Sequence, residues 1–127
     1  MKKFAFILLT MCLSVSFAMA QKPGPAAKFD KTIFDFGKVQ EKVGKVSTEF
    51  TVINAGNAPL IINRVQTSCG CTTPEYTTAP ILPGKKGVIK ITYSTTGRVY
   101  TFNKKITVFT NVPDSVYTLT IKGEVIN

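Results

Sequence analysis

The sequence predicts an all-β domain in which about seven strands form two antiparallel sheets packed face to face. Apolar residues recur mostly with period two, and they lie in short runs rich in β-branched and aromatic residues. Gly, Pro and Asn separate these runs, and no segment after the first twenty residues has a sustained helical period. A small closed barrel is the alternative that the same pattern allows.

Three predicted strands occupy the first half of the domain. In the second of them Val46, Phe50 and Val52 share one face, as period-two alternation requires. A turn rich in Asn, Gly and Pro separates the second strand from the third. The three strands are predicted over residues 32–39, 45–54 and 60–66.

The second half begins with an irregular segment, residues 74–83, that contains three prolines and is therefore compatible only with an edge strand. Pro83 and Gly84 then predict a tight turn. The clearest alternation follows near the C-terminus, where Leu119 and Ile121 alternate with polar neighbours. Three further strands are predicted over residues 88–93, 102–110 and 117–125.

The N-terminus has the features of an export signal. Lys2 and Lys3 precede a mostly apolar run, and a small-x-small pattern ends at Ala20, so cleavage is predicted after that residue. A membrane-spanning helix is the first alternative, but it needs roughly 20 apolar residues and this run is shorter. Lipidation at Cys12 is the second, although Met11 stands where a small residue is expected.

The chain is therefore divided into a signal peptide (1–20), a flexible linker (21–29) and one β-sandwich domain (30–127). The full sequence has a formal net charge of +9, and the mature chain keeps a clear positive charge without His, Met or Trp. Its lysines are dispersed, with no stripe of basic and aromatic residues, so no nucleic-acid partner is expected. An acidic envelope polymer is the alternative partner that this charge suggests.

Cys69 and Cys71 are the two cysteines of the mature chain, and Gly70 separates them. In an extended strand their Cα atoms would lie about 6.6–7.2 Å apart, near the limit of about 6.8 Å for a disulfide. A turn at Gly70, where glycine tolerates positive φ, would shorten this distance. Without histidine there is no base for a serine or cysteine nucleophile, so neither a catalytic residue nor a cofactor is predicted.

Three interpretations of the pair stay open. The cysteines are structural, packed as small apolar groups or joined to fix a turn. Alternatively they exchange with partner disulfides, which needs nearby cations such as Arg64, Lys85 or Lys86. The third interpretation is binding of copper(I) by two thiolates, whereas a closed zinc site would need four ligands that this chain lacks.

Several motifs resemble one family of exported bacterial proteins, catalogued as domain of unknown function fifteen seventy-three. They are Phe34-Asp35-Phe36-Gly37, Ser68-Cys69-Gly70-Cys71-Thr72 and Leu82-Pro83-Gly84-Lys85-Lys86-Gly87. The resemblance covers about residues 30–125 and implies an immunoglobulin-like β-sandwich of the Hydin type (ASH-like). Within it Cys69 and Cys71 match the family's cysteine pair, and Gly84 and Gly87 match its turn glycines; Gly70 is the third turn glycine predicted here, from its place between the cysteines. No activity, metal or cofactor comes with it.

The function expected from the sequence is that of an exported, non-enzymatic binding or scaffolding module of the bacterial cell envelope, in the periplasm or outside the cell. The expected partner is another envelope protein or an acidic envelope polymer, and no transmembrane segment is expected after signal cleavage. The preferred surface is the edge strand near residues 72–81, beside the cysteines. The alternative is thiol redox chemistry or copper(I) handling through Cys69 and Cys71.

Overall fold

A computed structural model describes residues 23–127 and places them in two four-stranded sheets. The predicted signal peptide, residues 1–20, lies outside the described residues, so the export prediction stays a prediction. Between the second and third strands the chain makes one 3-10 turn, Glu41–Val43. The strands are β1 (Ala27–Phe29), β2 (Ile33–Gln40), β3 (Lys45–Asn54), β4 (Ile62–Thr67), β5 (Thr72–Tyr76), β6 (Lys86–Ser94), β7 (Thr101–Thr110) and β8 (Val116–Ile126).

The prediction of a β-sandwich is confirmed. One sheet has the order β1-β3-β6-β5 and the other the order β2-β8-β7-β4, so each sheet keeps two edges and does not close into a barrel. The expectation that all strands pair antiparallel is wrong for one pair, because β2 runs parallel to β8. The chain passes from one sheet to the other between β1 and β2, and β2 is thereby carried alongside the last strand.

Strand positions agree closely with the sequence pattern. The bounds of β3 are those predicted, and the ends of the other strongly alternating strands differ from prediction by at most two residues. The proline-containing segment does provide an edge strand, β5, which contains Pro74. The structure has eight strands instead of about seven because of β1, which the sequence did not predict.

The predicted flexible linker, residues 21–29, ends earlier than expected. Residues 27–29 form β1, in which Ala27 lies opposite Asn54 and Phe29 opposite Val52 on β3. The Phe29 ring also packs on the ring of Tyr117, with centroids 5.3 Å apart. The strand therefore exists because tertiary contacts complete it, whereas its own three residues carry no periodic signal.

The core lies between the sheets and is made of the inward residues that alternation predicts on β3, β6, β7 and β8. The Phe102 ring of β7 stacks on the Tyr93 ring of β6, with centroids 3.9 Å apart, and so joins the two sheets. A Cβ on Gly123 would lie 2.9 Å from the end of the Phe102 ring, which explains glycine at that inward position. The fully buried apolar side chains include Phe50, Val52, Leu60, Ile89, Ile91, Ile106, Val108, Leu119 and Ile121.

Candidate functional site

The cysteine loop, residues 68–71, connects β4 in one sheet to β5 in the other. Cys69 and Cys71 are joined by a disulfide, and their Cα atoms lie 5.2 Å apart, closer than an extended strand would allow. Cys69 is half-buried, whereas Cys71 is 3% exposed and belongs to the core. The two sulfur atoms therefore occupy different environments although they are two residues apart.

Hydrogen bonds hold the cysteine loop independently of the disulfide. The Thr72 N–H donates to the Cys69 carbonyl at 3.1 Å, and the Ser94 N–H donates to the Cys71 carbonyl at 2.9 Å. The Thr67 hydroxyl donates to the Thr72 carbonyl at 3.2 Å and so connects the end of β4 to the start of β5. The backbone path of the loop is thus fixed at both ends by groups other than sulfur.

The three glycines singled out from the sequence have three different roles. Gly84 has φ +80° in a turn where the Lys85 N–H donates to the Leu82 carbonyl at 2.9 Å. Gly70 does not have positive φ, and a Cβ there would meet nothing within 4 Å, so the cysteine turn does not require glycine. Gly87 is in strand β6 and not in a turn; a Cβ at this position would overlap the Ile81 side chain.

The edge of β5, the surface preferred from the sequence, is largely closed to a further strand. The Ser94 N–H donates to the Cys71 carbonyl and the Thr77 N–H donates to the Val88 carbonyl. The odd-numbered residues of β5 therefore form the backbone hydrogen bonds to β6. Antiparallel alternation then turns the backbone groups of Thr72, Pro74 and Tyr76 outward. Both groups of Thr72 are already bonded within the loop, and Pro74 has no N–H. A partner strand would find few free groups along β5.

The edge of β4 is different. The Val125 N–H donates to the Tyr100 carbonyl, so even-numbered residues of β7 bond to β8 and odd-numbered residues bond to β4. The register of β4 on β7 then turns the backbone N–H and C=O of Val65 and Thr67 away from the sheet. No proline or lysine lies within β4. Proline and lysine are two common means of protecting an edge strand, so this edge is available for strand pairing.

A groove of about 240 Å³ runs beside this edge on the outer surface of its sheet. Its lining contains one cation, Lys105, and no carboxylate, and it extends to Ser68 in the cysteine loop. Arg64 lies over the Phe109 ring, with its guanidinium carbon 4.2 Å from the ring centroid. The Lys105 ammonium donates to the Thr120 hydroxyl of β8 at 3.1 Å, so its charge lies on the side of the groove away from β4, and Arg64 is the cation at the strand edge. The lining residues are Gln66, Thr67, Ser68, Lys105, Thr107 and Phe109.

Two of the three cations expected near the cysteines lie elsewhere, and the third, Arg64, is on β4, the strand that leads into the cysteine loop. Lys85 and Lys86 are at the start of β6, whereas Cys71 bonds to Ser94 at its end, roughly 25 Å away along the strand. Lys105 is the lysine that shares a groove with the cysteine loop, and the sequence did not indicate it. Its position depends on the register of β7 against β4, which no local motif encodes.

Two other grooves on the described residues carry carboxylates. One of about 330 Å³ lies beside β5 and is lined by Glu49, Glu75 and Lys90, among others. The other, of about 310 Å³, is on the sheet that contains β4 and is lined by two lysines and two carboxylates, including Lys122 and Glu124, so its charges balance. Within residues 23–127 there is no group of three or more His, Cys, Asp and Glu side chains arranged to bind a metal ion. The same residues contain no helix with the length and apolar character needed to cross a bilayer.

Tyr93 lies under the cysteine loop, opposite Thr72 in the ladder, and is fully buried. Within the described residues its hydroxyl has no hydrogen-bond partner. Burial raises the pKa of the Tyr93 phenol, and the neighbouring Tyr100 adds to the effect. A buried hydroxyl without a partner has lost its hydration and gained no bond in return, which costs stability.

Replacing Tyr93 by phenylalanine is therefore expected to leave the free energy of unfolding unchanged or to raise it by up to about 1 kcal/mol. Denaturant unfolding of both proteins measures this difference. Tyrosinate absorbance gives a second measurement: because the pKa of Tyr93 is raised, the part of the titration that lies above the ordinary tyrosine range should disappear in Tyr93→Phe. A loss of stability of about 1 kcal/mol or more would show that the hydroxyl is bonded.

Comparison with known proteins gives the same fold. Similar solved structures include a protein of unknown function from Porphyromonas gingivalis W83, with TM-score 0.69, 18% identity and coverage of 85% of this chain and 51% of that chain. Vibrio cholerae VesB protease has TM-score 0.60 and 13% identity over 80% of this chain and 32% of that chain. WR4, a C. elegans MSP family member, has TM-score 0.50 and 8% identity over 78% of this chain and 96% of that chain.

At these identities the likeness extends to the fold alone, and the chain spans about half the length of the Porphyromonas gingivalis protein. No curated protein matches the sequence. A family model does match, over residues 27–125, which includes β1, the cysteine loop and nearly all of β8. The chain belongs to the family described as Protein of unknown function (DUF1573).

Proposed function

We propose that this protein is an exported, non-enzymatic binding module of the bacterial cell envelope that pairs with an extended segment of another envelope protein along β4. The observation that carries the proposal is the contrast between two edges. Val65 and Thr67 turn backbone groups outward on β4, whereas Thr72 and Pro74 close the edge of β5. Strand addition uses such outward groups to bind extended peptides.

The chemistry of the partner follows from the groove beside β4. A segment paired with β4 would place alternate side chains beside Arg64 and Gln66 on the outer face of β4, and a long side chain there would extend toward the groove on β7. Because that lining carries a positive charge and no carboxylate, acidic side chains are favoured at those positions. The partner is thus an acidic, extended segment, and its backbone supplies most of the hydrogen bonds.

The proposed location, the periplasm or the outside of the cell, is supported by the N-terminal sequence. Lys2, Lys3, the apolar run and the pattern ending at Ala20 have the arrangement of a cleaved signal. A disulfide between Cys69 and Cys71 also fits an oxidising compartment.

Val65→Pro tests the proposal because it removes the outward N–H of β4 without removing a ladder bond, as Pro74 does naturally on β5. Val65→Ala is the matched control: it loses similar packing but keeps the N–H. Tagged proteins are expressed in cells with their own signal, crosslinked and purified. We expect the alanine variant to retain the partner and the proline variant to lose it by at least about tenfold. Equal retention by two folded variants would contradict pairing at β4.

Charge reversal separates a protein partner from an acidic polymer. Lys105→Glu, in the groove, is compared with Lys86→Glu, which makes the same change on the other sheet. We expect capture to fall with Lys105→Glu alone. A polymer held by charge would respond to Lys105→Glu and not to Val65→Pro, and a partner insensitive to both changes would exclude this surface.

A further inference from the structure

The two sulfur atoms of the cysteine loop differ in access to solvent. Cys69 is half-buried and lies at the surface end of the loop, whereas Cys71 is 3% exposed and packs in the core. Thiol–disulfide exchange begins when a thiolate attacks one sulfur and expels the other. Exposure therefore selects Cys69 as the sulfur attacked and Cys71 as the leaving sulfur.

A polar group is placed to receive the leaving sulfur. The Thr72 hydroxyl oxygen lies 3.6 Å from the Cys71 sulfur, and in the disulfide only the hydroxyl can donate a hydrogen. Thr72 is itself 4% exposed, so this contact is sheltered from water. A donor at this position stabilises a thiolate more than it stabilises a neutral disulfide sulfur. This contact favours departure of the Cys71 sulfur as a thiolate when the Cys69 sulfur is attacked.

The disulfide is not needed to hold the loop. It joins residues two apart in sequence, so it restricts the unfolded chain very little. The bonds from Thr72 to Cys69 and from Ser94 to Cys71 fix the same path through the backbone. When the disulfide opens, these backbone hydrogen bonds still hold the loop. The disulfide can therefore be reduced without loss of the loop conformation.

The surroundings also favour an anionic reactant. The groove that contains Lys105 reaches Ser68, the neighbour of Cys69, and its lining holds no carboxylate. The Cys71 N–H donates to the Cys69 sulfur at 3.2 Å, a bond that strengthens when this sulfur becomes a thiolate. The first feature favours approach of an anionic reactant, and the second stabilises the Cys69 thiolate that is released in the last step of the exchange.

From these observations we infer that the Cys69–Cys71 disulfide is a site of thiol–disulfide exchange for an incoming dithiol, with Cys69 as the point of attack. One thiolate of the dithiol forms a bond to the Cys69 sulfur, and the bond between the two cysteines breaks. The electron pair leaves on the Cys71 sulfur, which takes a proton. The second thiolate of the dithiol then attacks its own mixed disulfide and releases Cys69, so the dithiol is oxidised and Cys69 and Cys71 are both reduced.

The wild-type protein, exported and purified with its disulfide, provides the first test. It is treated with reduced glutathione, a monothiol, and separately with a C-x-x-C protein dithiol, then quenched in acid and mapped by mass spectrometry. We expect glutathione to be trapped on Cys69 and the dithiol to yield two free thiols in folded protein. Glutathione found on Cys71, or a bond that opens only after the protein unfolds, would overturn the inference. A bond that glutathione opens and the protein dithiol does not would identify small thiols as the reactant and overturn the assignment to a dithiol.

Single-cysteine variants test the predicted order of attack. Cys71→Ser retains Cys69 and Cys69→Ser retains Cys71, and both are treated with oxidised glutathione while their folding is followed by circular dichroism. We expect the mixed disulfide to form at least about tenfold faster on Cys69 than on Cys71. Equal rates in two folded variants would contradict the assignment, and the wild-type mapping decides it if either variant fails to fold.

Thr72 is a positioning residue in this scheme, and its hydroxyl can be removed separately. Thr72→Val is expected to slow opening of the disulfide by about tenfold, and Thr72→Ser to restore the rate. A purely structural role for Thr72 would lower the melting temperature of the valine variant and leave the rate in folded protein unchanged. That result would remove the hydroxyl from the scheme.

Discussion

Replacing Asn54 by alanine is expected to lower the free energy of unfolding by about 3 kcal/mol, because it removes three hydrogen bonds that a buried side chain makes to backbone groups. Asn54 ends β3 and is fully buried. Its side-chain amide donates to the carbonyls of Ala58 and Ile81 at 2.7 and 2.8 Å, and its oxygen accepts from Gly56 N–H at 2.9 Å. One side chain thus organises the end of the sandwich opposite the cysteine loop.

Asn57→Ala is the matched control for this prediction. Asn57 lies three residues further on, is exposed, and uses its side-chain oxygen to accept one hydrogen bond from Gly24. Its loss should cost less than about 1 kcal/mol, because water can replace the missing group. Chemical denaturation of the three proteins gives the comparison, and similar losses for both variants would show that the buried amide has no special role.

Phe102→Ala is expected to cost about 3–5 kcal/mol, the range for removing a buried aromatic side chain. The ring is 2% exposed, stacks on Tyr93 of the other sheet and fits against Gly123. Backbone hydrogen bonds hold strands within each sheet, so the contact between sheets depends on such side chains. The cavity would open at the sheet interface beside Tyr93, and denaturant unfolding measures the loss.

Phe109→Ala provides the comparison on the same strand. Phe109 faces the outer surface, is half-buried and contacts Arg64 instead of the opposite sheet. Its removal should cost about 1 kcal/mol, since little apolar area returns to water. If Phe102→Ala and Phe109→Ala had equal effects, the stacking on Tyr93 would not be important for joining the two sheets.

Much of the fold could be predicted from the sequence, because its alternating strands are long enough to show their period. β8 carries Tyr117, Leu119, Ile121 and Val125 on one face, and β3 carries Val46, Phe50 and Val52 on one face, which is the alternation that half-buried strands require. Thr120 shows the limit of the rule. Thr120 lies on the outward face of β8 but is only 5% exposed. The Lys105 ammonium donates to the Thr120 hydroxyl at 3.1 Å, and the Lys105 side chain thereby covers Thr120.

Features that depend on tertiary pairing could not be predicted. Strand β1 has three residues and forms against the end of β3, and the parallel pairing of β2 with β8 has no local signal. The motif around Gly87 predicts a turn glycine, but glycine is needed there because the Ile81 side chain packs directly against its backbone. In each case a long-range contact determines the conformation, and residues close in sequence do not report it.

The candidate site follows the same division. The cysteine pair is evident in the sequence, but the different exposure of Cys69 and Cys71 depends on how the loop crosses between sheets. Which edge can bind a further strand depends on which residues of β4 and β5 turn their backbone groups away from the sheet. Pro74 is at an outward position of β5 and has no N–H to offer, whereas Val65 is at an outward position of β4 and has one. A shift of one residue in either register would exchange the open and closed positions.

The most direct test of the open edge is site-specific photocrosslinking in living cells. A photoreactive residue replaces Gln66 on β4 in one strain and Glu75 on β5 in another; both side chains are exposed, and each is on an edge strand. Pairing at β4 predicts one discrete crosslinked product from position 66 and none from position 75. A product from position 75 alone, or from neither position while both proteins are folded and exported, would contradict it.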